Sequence, residues 1–355
     1  MTPPDRADIL NAGRGKVVKR ATIAEIAARA GVSIGAVSYA LNGRPGVSEK
    51  TRKRIIDIAD EIGWRPSLAA RSLSGSRAHS VGMIIARPAD TLGVEPFFMR
   101  FIAGLERELS GQRTALLLQV VEDHRAAIDA MRLCWAERRI DGIVVTDLWT
   151  EDTRIPVLEE LQMPAVLVGR PRTDTRLAAV WTDDTAAVES SVDYLVALGH
   201  RRIARVAGLP TLDHTQVRIA AFREAMLRHG LSETQVVETD YTWEEGARVT
   251  RALLSRRERP TAIVFDNDVM AVAALNVAQE MGIAVPDELS IVAGDDSQLC
   301  VLVRPALTAL SWDIQAYGVH TARVLLDLID GRSPSSHQES PARLVVRAST
   351  APPQA

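Results

Sequence analysis

The first hydrophobic pattern in the chain has the period of an α-helix, and it occurs three times within residues 22–64. Thr22 opens the first segment with a capping box, and Gly31 is its expected end. Ser33 and Ser48 are the expected N-caps of the second and third segments. The positions expected to form a small core are Ile23, Ile26, Ala27, Ala30, Val37, Leu41, Ile55, Ile58, Ala59 and Ile62. The spacing predicts three short helices, the first two joined by a tight turn.

From residue 79 the pattern changes to short apolar segments that alternate with helical stretches. Eight strands are predicted, at 80–86, 114–120, 141–147, 164–170, 201–208, 235–240, 261–268 and 289–296. Such alternation is typical of parallel sheets with right-handed crossovers. The order also repeats, since RRIDGIVVTD resembles ERPTAIVFDND further along the chain. We therefore predict an all-α helix-turn-helix head followed by an α/β body of two similar lobes, with a ligand cleft beyond the carboxyl ends of the strands.

Charge is divided unevenly along the chain. The 355 residues carry a net charge of −3, but residues 1–78 hold 14 basic and 7 acidic side chains, a balance of +7. The remaining 28 basic and 38 acidic side chains give −10. A basic head on an acidic body indicates that only the head meets a polyanion such as DNA.

Composition excludes several classes of protein. A hydrophobic content of 46% is ordinary for a globular chain, and no apolar run approaches the ~18 residues of a membrane span. The N-terminus has no secretory signal, and the two cysteines form neither a disulfide framework nor a metal motif. We expect a cytoplasmic, nucleoid-associated protein with no membrane partner, no metal and no cofactor.

The second predicted helix carries small and hydroxyl side chains on its leading face, which suits a helix lying deep in the major groove of DNA. A generic pair of helices with a glycine turn is the alternative. Lys50 and Arg52, at the start of the third helix, should face phosphates. The candidate DNA contacts of the head are Thr22, Ser33, Ile34, Gly35, Ala36, Ser38, Tyr39, Asn42, Lys50 and Arg52.

The runs VSIGAVSYALNGRPGVSEKTRKRI and GWRPSLAARSLSG resemble the head and hinge of the LacI/GalR family of bacterial repressors. The resemblance implies that residues 67–74 form a short helix only on operator DNA, and it adds Ala70, Arg71 and Leu73 to the DNA contacts. Leu73 would insert into the minor groove at a central CpG step, beside its dimer mate. Packing of Leu73 against the body is the alternative.

This sequence departs from the family at the start of the recognition helix. Ile34 and Gly35 stand where many members carry larger polar side chains, and Tyr39 stands where many carry arginine. The operator sequence of better-known members therefore does not transfer to this chain.

The patterns and the resemblance together divide the chain into four parts. We expect a disordered tail at 1–20, the helix-turn-helix domain at 21–66, a hinge helix and linker at 67–78, and an effector-binding and dimerisation domain at 79–350. Within that domain, the expected first lobe is about 79–181 plus 297–335, and the second is about 182–296 plus 336–350.

Polar side chains that follow predicted strands are candidates for the cleft. The candidate effector-binding residues are Phe98, Trp149, Arg170, Asp183, Arg218, Tyr241, Asn267 and Asp295, of which Arg170, Asp183, Arg218 and Asp295 also match motif positions of the family. Arginine donors and aspartate acceptors suit the hydroxyl groups of a sugar. Asp184 and Asp268 are expected to cap helices, and His200 is expected to be structural.

The sequence contains no Walker loop, GxSxG, HExxH or CxxC motif, so no catalytic residue is predicted. We predict a homodimeric, ligand-responsive transcriptional repressor that binds a pseudo-palindromic operator. Two alternatives remain open at this point: a solute-binding protein of periplasmic type, and an enzyme of unknown type with a DNA-binding head.

Overall fold

The computed structural model describes residues 21–41, 43–64, 77–87, 95–231 and 235–354. They belong to two compact units, Met1–Ser76 and Arg77–Ala355. The described helices are α1 Ile23–Ala30, α2 Ile34–Leu41, α3 Glu49–Glu61, α4 Pro96–Gly111, α5 His124–Ala136, α6 Arg154–Glu160, α7 Asp184–Ala197, α8 Asp213–Arg228, α9 Trp243–Leu254, α10 Asp268–Glu280, α11 Gln298–Leu302 and α12 Ile314–Ile329. The described strands are β1 Ser80–Ala86, β2 Ala115–Val121, β3 Gly142–Val145, β4 Ala165–Val168, β5 Ala178–Trp181, β6 Ile203–Ala207, β7 Gln235–Glu238, β8 Ala262–Phe265, β9 Ser290–Ala293, β10 Thr308–Ser311, β11 His337–Gln338 and β12 Arg343–Val345.

The first unit contains the three predicted helices, and their predicted caps are confirmed. The hydroxyl of Thr22 accepts a hydrogen bond from the backbone N of Glu25 at 3.3 Å, and Ser33 and Ser48 cap α2 and α3 in the same way. Gly31 ends α1 with a positive φ of 63°. The buried core is Ile26, Ala27, Ala30, Val37, Ala40, Ile55 and Ala59. Leu41, expected to point inward, is only half-buried, because Ala40 takes the inner position of the last turn.

The second unit consists of two lobes, each built on a six-stranded sheet. The strand order is β11-β5-β4-β3-β1-β2 in the first lobe and β12-β10-β9-β8-β6-β7 in the second. The pairings between these strands are all parallel except that of β10 with β12. The eight predicted strands are all present, and the predicted fold class is confirmed.

The expected lobe boundaries are wrong in the last sixty residues. Residues 298–311 were expected in the first lobe, but β10 pairs with β9 and β12 and so belongs to the second. Residues 337–338, expected in the second lobe, pair with β5 in the first. No strand was predicted at β10, β11 or β12, so only their pairing assigns these segments to a sheet. The chain therefore crosses between the lobes three times, after β5, after β10 and between β11 and β12.

Helix α12 returns to the first lobe and packs closely on α4. A Cβ atom added at Gly318 would overlap the backbone oxygen of Phe101, and one added at Gly104 would overlap the backbone oxygen of Gln315. The two backbones are thus in direct contact, which only glycine allows. This contact fixes the position of α12 within the lobe.

Candidate effector cleft and DNA-reading surface

A cleft lies between the two lobes, at the carboxyl ends of the strands. Arg87 follows β1, Asp147 follows β3, Asp266 follows β8 and Asp295 follows β9, and all four line the cleft. Parallel strands end at the same edge of a sheet, so side chains that follow them are brought together there.

A buried ionic network forms the first-lobe wall. The guanidinium of Arg87 donates to both carboxylate oxygens of Asp147, at 2.7 and 2.9 Å, and to Glu95 at 3.1 Å. Burial raises the pKa of Glu95 to about 7, although the charge of Arg87 acts in the opposite direction. Burial also acts to raise the pKa of Asp147, but the charge and hydrogen bonds of Arg87 outweigh it and hold that pKa below its usual range.

The second-lobe wall carries a second ion pair. The Nε atom of Arg218 donates to Asp184 at 2.7 Å. Nearby, Asp295 accepts a hydrogen bond from the indole N–H of Trp312 at 3.2 Å. Burial, followed by the negative charge of Asp268, raises the pKa of Asp295 to about 6.

Tyr241 anchors the polar contacts at the end of β7. Its hydroxyl lies 2.9 Å from Nε2 of His214 and 3.0 Å from the hydroxyl of Thr215. Burial, followed by the charge of Arg218, lowers the pKa of His214 to about 4. This imidazole is therefore neutral near pH 7.

Asp266, which lines the cleft, belongs to an ion pair that the sequence analysis missed. Arg205, on β6, is 2% exposed and pairs with the fully buried carboxylate of Asp266. The second oxygen of Asp266 accepts from the backbone N of Gly208 at 2.9 Å. Burial lowers the pKa of Arg205, opposed by the charge of Asp266. The available signal was an arginine inside the otherwise apolar strand IARVA.

The lobes touch beside the cleft through backbone hydrogen bonds. The N–H of Asp213 donates to the carbonyl of Leu148 at 2.8 Å, and the N–H of Thr150 donates to the carbonyl of Thr211 at 3.1 Å. In each of these hydrogen bonds, the donor and the acceptor lie in different lobes. A change in lobe closure must therefore strain or break both bonds.

In the first unit, α2 presents an apolar and small-residue surface. Ile34 is 53% exposed and Tyr39 is 46% exposed, while Ser33 and Gly35 are also exposed. Ala36 and Ser38 are half-buried. This surface has the shape expected of a helix that enters a groove.

The two predicted phosphate contacts differ in their surroundings. Lys50 is exposed. Arg52 is only 21% exposed, because it donates to the carbonyl of Arg44 at 2.9 Å and pairs with Glu49 at 3.5 Å. Arg52 therefore holds the loop before α3 in this structure.

Comparison with known proteins identifies the chain. Residues 22–67 match "Bacterial regulatory proteins, lacI family", and residues 192–350 match "Periplasmic binding protein-like domain". The regulator CelR of Thermobifida fusca is 31% identical over 334 residues, which are 92% of this chain and 96% of CelR. This chain belongs to the lacI family.

Other members support the assignment. The repressor PurR of Klebsiella pneumoniae is 30% identical over 343 residues, covering 93% of this chain and 97% of PurR. The solved complex of the regulator CelR with cellobiose superposes with a TM-score of 0.72 at 28% identity, covering 93% of this chain and all of that one. The predicted ligand-responsive, DNA-binding transcriptional regulator is thereby confirmed, and these relatives are regulators rather than enzymes. Within the described residues, no helix combines the length and apolar character needed to cross a membrane.

Five of the eight predicted effector-binding residues of this lacI-family member lie at the cleft. Phe98, Arg170, Arg218, Tyr241 and Asp295 line the cleft. Trp149, Asp183 and Asn267 do not. Trp149 instead stacks on His124, with ring centroids 4.0 Å apart.

Two helix caps were assigned one residue too late. Asp183, expected in the cleft, caps α7 by accepting from Ala186 at 3.0 Å, whereas Asp184, expected to be the cap, pairs with Arg218 in the cleft. Asn267, also expected in the cleft, caps α10, so the cap expected of Asp268 is wrong. The N-cap is the last residue before the helix, and a shift of one position turns a side chain to a different side.

Several cleft residues were not predicted, namely Arg87, Glu95, Asp213, His214 and Asp266. Arg87 and Asp266 directly follow strands, so the strand-end rule could have found them. Glu95 lies just before a helix, where no sequence signal marked it. The candidates Asn42, Ala70, Arg71 and Leu73, with most of the hinge, lie outside the described residues.

Proposed function

We propose that this protein is a repressor that binds a pseudo-palindromic operator as a homodimer, and that an uncharged, sugar-like effector in the cleft controls its affinity for DNA. The observation that carries the effector class is the charge of the cleft. Its lining contains three arginines, Arg87, Arg170 and Arg218, against six carboxyl groups, Glu95, Asp147, Asp184, Asp213, Asp266 and Asp295.

The arginines of the cleft are already engaged. Arg87 is paired with Asp147 and Glu95, Arg218 with Asp184, and Arg170 lies 3.8 Å from Asp213. A phosphate or carboxylate group entering the cleft would have to displace one of these carboxylates. Hydroxyl groups can instead donate to the carboxylates and accept from the arginine N–H groups that remain. The complex of the related CelR with cellobiose supports a sugar of this kind.

The proposed effector residues are Phe98, Arg170, Arg218, Tyr241 and Asp295, together with Asp147 and Trp312. Phe98 and Trp312 offer apolar ring surface at the same cleft. Polar groups around the hydroxyls and a ring against the sugar face are the usual division of roles in such pockets.

The proposed DNA contacts are those of α2, together with Lys50 at the start of α3. Ile34 offers an apolar contact to a thymine methyl group, and Ser33 and Ser38 offer hydroxyls to base edges or phosphates. Asn42, Ala70, Arg71 and Leu73 complete the proposal from the sequence alone. Since α2 presents few long polar side chains, part of the specificity would come from DNA shape.

The proposed coupling runs through lobe closure. An effector that favours one degree of closure changes the spacing of the two heads in a dimer, and a coupling of about 1–3 kcal/mol would change operator affinity roughly 5–150-fold. Either sign, induction or co-repression, is consistent with this mechanism.

Arg218→Ala tests the assignment of the cleft. DNA from upstream of the protein's own gene is titrated by fluorescence anisotropy, with and without cellobiose and other neutral sugars. We expect the variant to bind DNA like the wild type but to lose the ligand response. Arg228→Ala is the matched control, since Arg228 lies on the same helix and forms a 2.6 Å ion pair with Glu189 outside the cleft. A normal response in Arg218→Ala would refute the assignment.

A thermal-shift screen over neutral sugars, sugar phosphates and nucleosides tests the effector class. Ligands that bind only the folded state raise the melting temperature. Stabilisation by neutral sugars is expected, whereas stabilisation by sugar phosphates alone would contradict the charge argument.

A further inference from the structure

Three potential metal ligands meet on the first lobe, away from the cleft. They are His320 on α12, His337 on β11 and Glu339 just after β11. Nδ1 of His320 lies 2.5 Å from Oε1 of Glu339, and Nε2 of His337 lies 3.4 Å from the same oxygen. One donor atom from each residue lies within 4.8 Å of the other two.

The backbone explains why these side chains meet. His337 and Glu339 are two positions apart on an extended segment, so their side chains point to the same side. His320 comes from α12, whose position is fixed by the glycine contacts with α4 described above. The backbone N of Glu339 donates to the carbonyl of Trp181 at 2.8 Å, which holds the other half of the cluster.

The donor set suits a particular class of metal ion. Two imidazole nitrogens and one carboxylate oxygen, with an open fourth position, are typical ligands of Zn²⁺. Bonds of about 2.0–2.1 Å in a tetrahedron separate neighbouring ligand atoms by about 3.4 Å. The distance from His337 to Glu339 already has this value, and His320 must move by about 1 Å, giving up its present hydrogen bond.

The exposure of these side chains and their close grouping also favour a metal site. The side chains of His320 and His337 are about a third and nearly half exposed, so an ion can enter from solvent. All seven histidines and both cysteines lie among the described residues, and within those residues no other group of three potential ligands comes as close together. We propose that His320, His337 and Glu339 form a binding site for a divalent metal ion such as Zn²⁺.

The proposed metal site lies beside two of the three chain crossovers between the lobes. Glu339 begins the third crossover between them, and its partner Trp181 ends the strand that leads into the first crossover. A bound ion would join α12 to both connections and restrict the change in closure. This second step rests on the proposed function, whereas the metal site does not.

Titration of the full-length protein with Zn²⁺ tests the site. After treatment with EDTA, the chain is titrated near pH 7.5 against a chromophoric chelator. We expect one equivalent to bind saturably, and His320→Gln and His337→Gln each to weaken binding about tenfold or more, because each removes one of three protein ligands. His229→Gln is the matched control, since His229 forms a 2.6 Å pair with Asp193 and belongs to no group of three potential ligands among the described residues.

The outcomes separate the two steps. Wild-type protein that shows no saturable binding, or a His320→Gln, His337→Gln double variant that binds as tightly as the wild type, overturns the site. Circular dichroism of each variant checks that lost binding is not lost folding. If Zn²⁺ binds but leaves the affinity for a stabilising sugar unchanged, the site stands and its link to the cleft is overturned.

Discussion

The guanidinium carbon of Arg87 lies 5.0 Å from the ring centroid of Tyr241, and the two residues belong to opposite lobes. This cation–π contact spans the cleft directly. Both groups are buried, which strengthens such a contact to about 2 kcal/mol. Closure of the lobes is therefore linked to the position of one aromatic ring.

Gly208→Ala should remove the effector response. A Cβ atom at residue 208 would overlap the ring of Tyr241, so the ring must leave its place over Arg87. We expect at least tenfold weaker binding of a stabilising sugar, measured by isothermal titration calorimetry, with DNA binding retained. Gly111→Ala is the control, because a Cβ atom there has open space. Equal sugar affinity in both variants would show that Tyr241 does not form the site.

Asp295→Asn should stabilise the protein near neutral pH. The pKa of Asp295 is raised to about 6 in the folded state, from an ordinary value near 4, so the folded protein binds the extra proton in that interval. The carboxylate thus lowers stability as pH rises from about 4 to 6, and the cost is complete above 6. Asparagine carries no charge and so removes this cost. Its side-chain oxygen can still accept the hydrogen bond from the indole N–H of Trp312.

The measurement is the free energy of urea unfolding of both proteins between pH 4 and 8. We expect the variant's advantage to grow from near zero at pH 4 to about 1–2 kcal/mol at pH 7, allowing for partial exposure of the group. Asp129→Asn, a change of an exposed carboxyl on α5, supplies the baseline. An advantage that does not depend on pH would argue against a raised pKa.

Arg205→Leu should destabilise the second lobe strongly. The change leaves the buried carboxylate of Asp266 without its counter-charge, which costs about 3–5 kcal/mol in comparable cases. The double variant Arg205→Leu, Asp266→Asn should recover most of this loss, since no unpaired charge remains. Urea unfolding of both variants measures the difference. Equal stability of the single and double variants would mean that the ion pair does not explain the loss.

Lys50→Ala and Arg52→Ala should affect the head in different ways. Lys50 is free to reach a phosphate, so its removal should weaken binding to all DNA sequences and reduce the slope of log affinity against log salt by about 1. Arg52 holds the carbonyl of Arg44, so its removal should cost about 1 kcal/mol of stability and leave the slope nearly unchanged. Anisotropy at several salt concentrations measures the slopes. Equal reductions in slope would place Arg52 on the phosphates.

Helices and strands with local sequence signals, such as caps and apolar runs, could be predicted from the sequence. The caps at Thr22, Ser33 and Ser48 are local signals, because a hydroxyl three residues before a free N–H decides where a helix begins. Strands such as β1, β3, β8 and β9 are recognisable because burial on both faces makes them continuously apolar. Asp295 was located at the cleft because it follows a predicted strand, and both Asp295 and Arg218 match motif positions of the family.

The remainder depends on contacts between distant segments. Asp183 and Asp184 are adjacent acids at a helix start, and only the position of Arg218 on another helix decides which of them enters the cleft. Strand β10 contains four residues, and only its pairing with β9 and β12 assigns it to the second lobe. Likewise, Arg205 is tolerated in an apolar strand only because Asp266 directly follows the neighbouring strand β8.

The last two strands, β11 and β12, join different sheets, and this has a consequence for biosynthesis. Strand β11 closes one edge of the first sheet and β12 closes one edge of the second, and both lie within the final twenty residues of the described chain. A ribosome that releases the chain from its N-terminus exposes α1–α3 long before either sheet can be completed. The DNA-binding head therefore leaves the ribosome ready to fold while the part that governs it is still being made, and a nascent chain can reach DNA before it can respond to an effector.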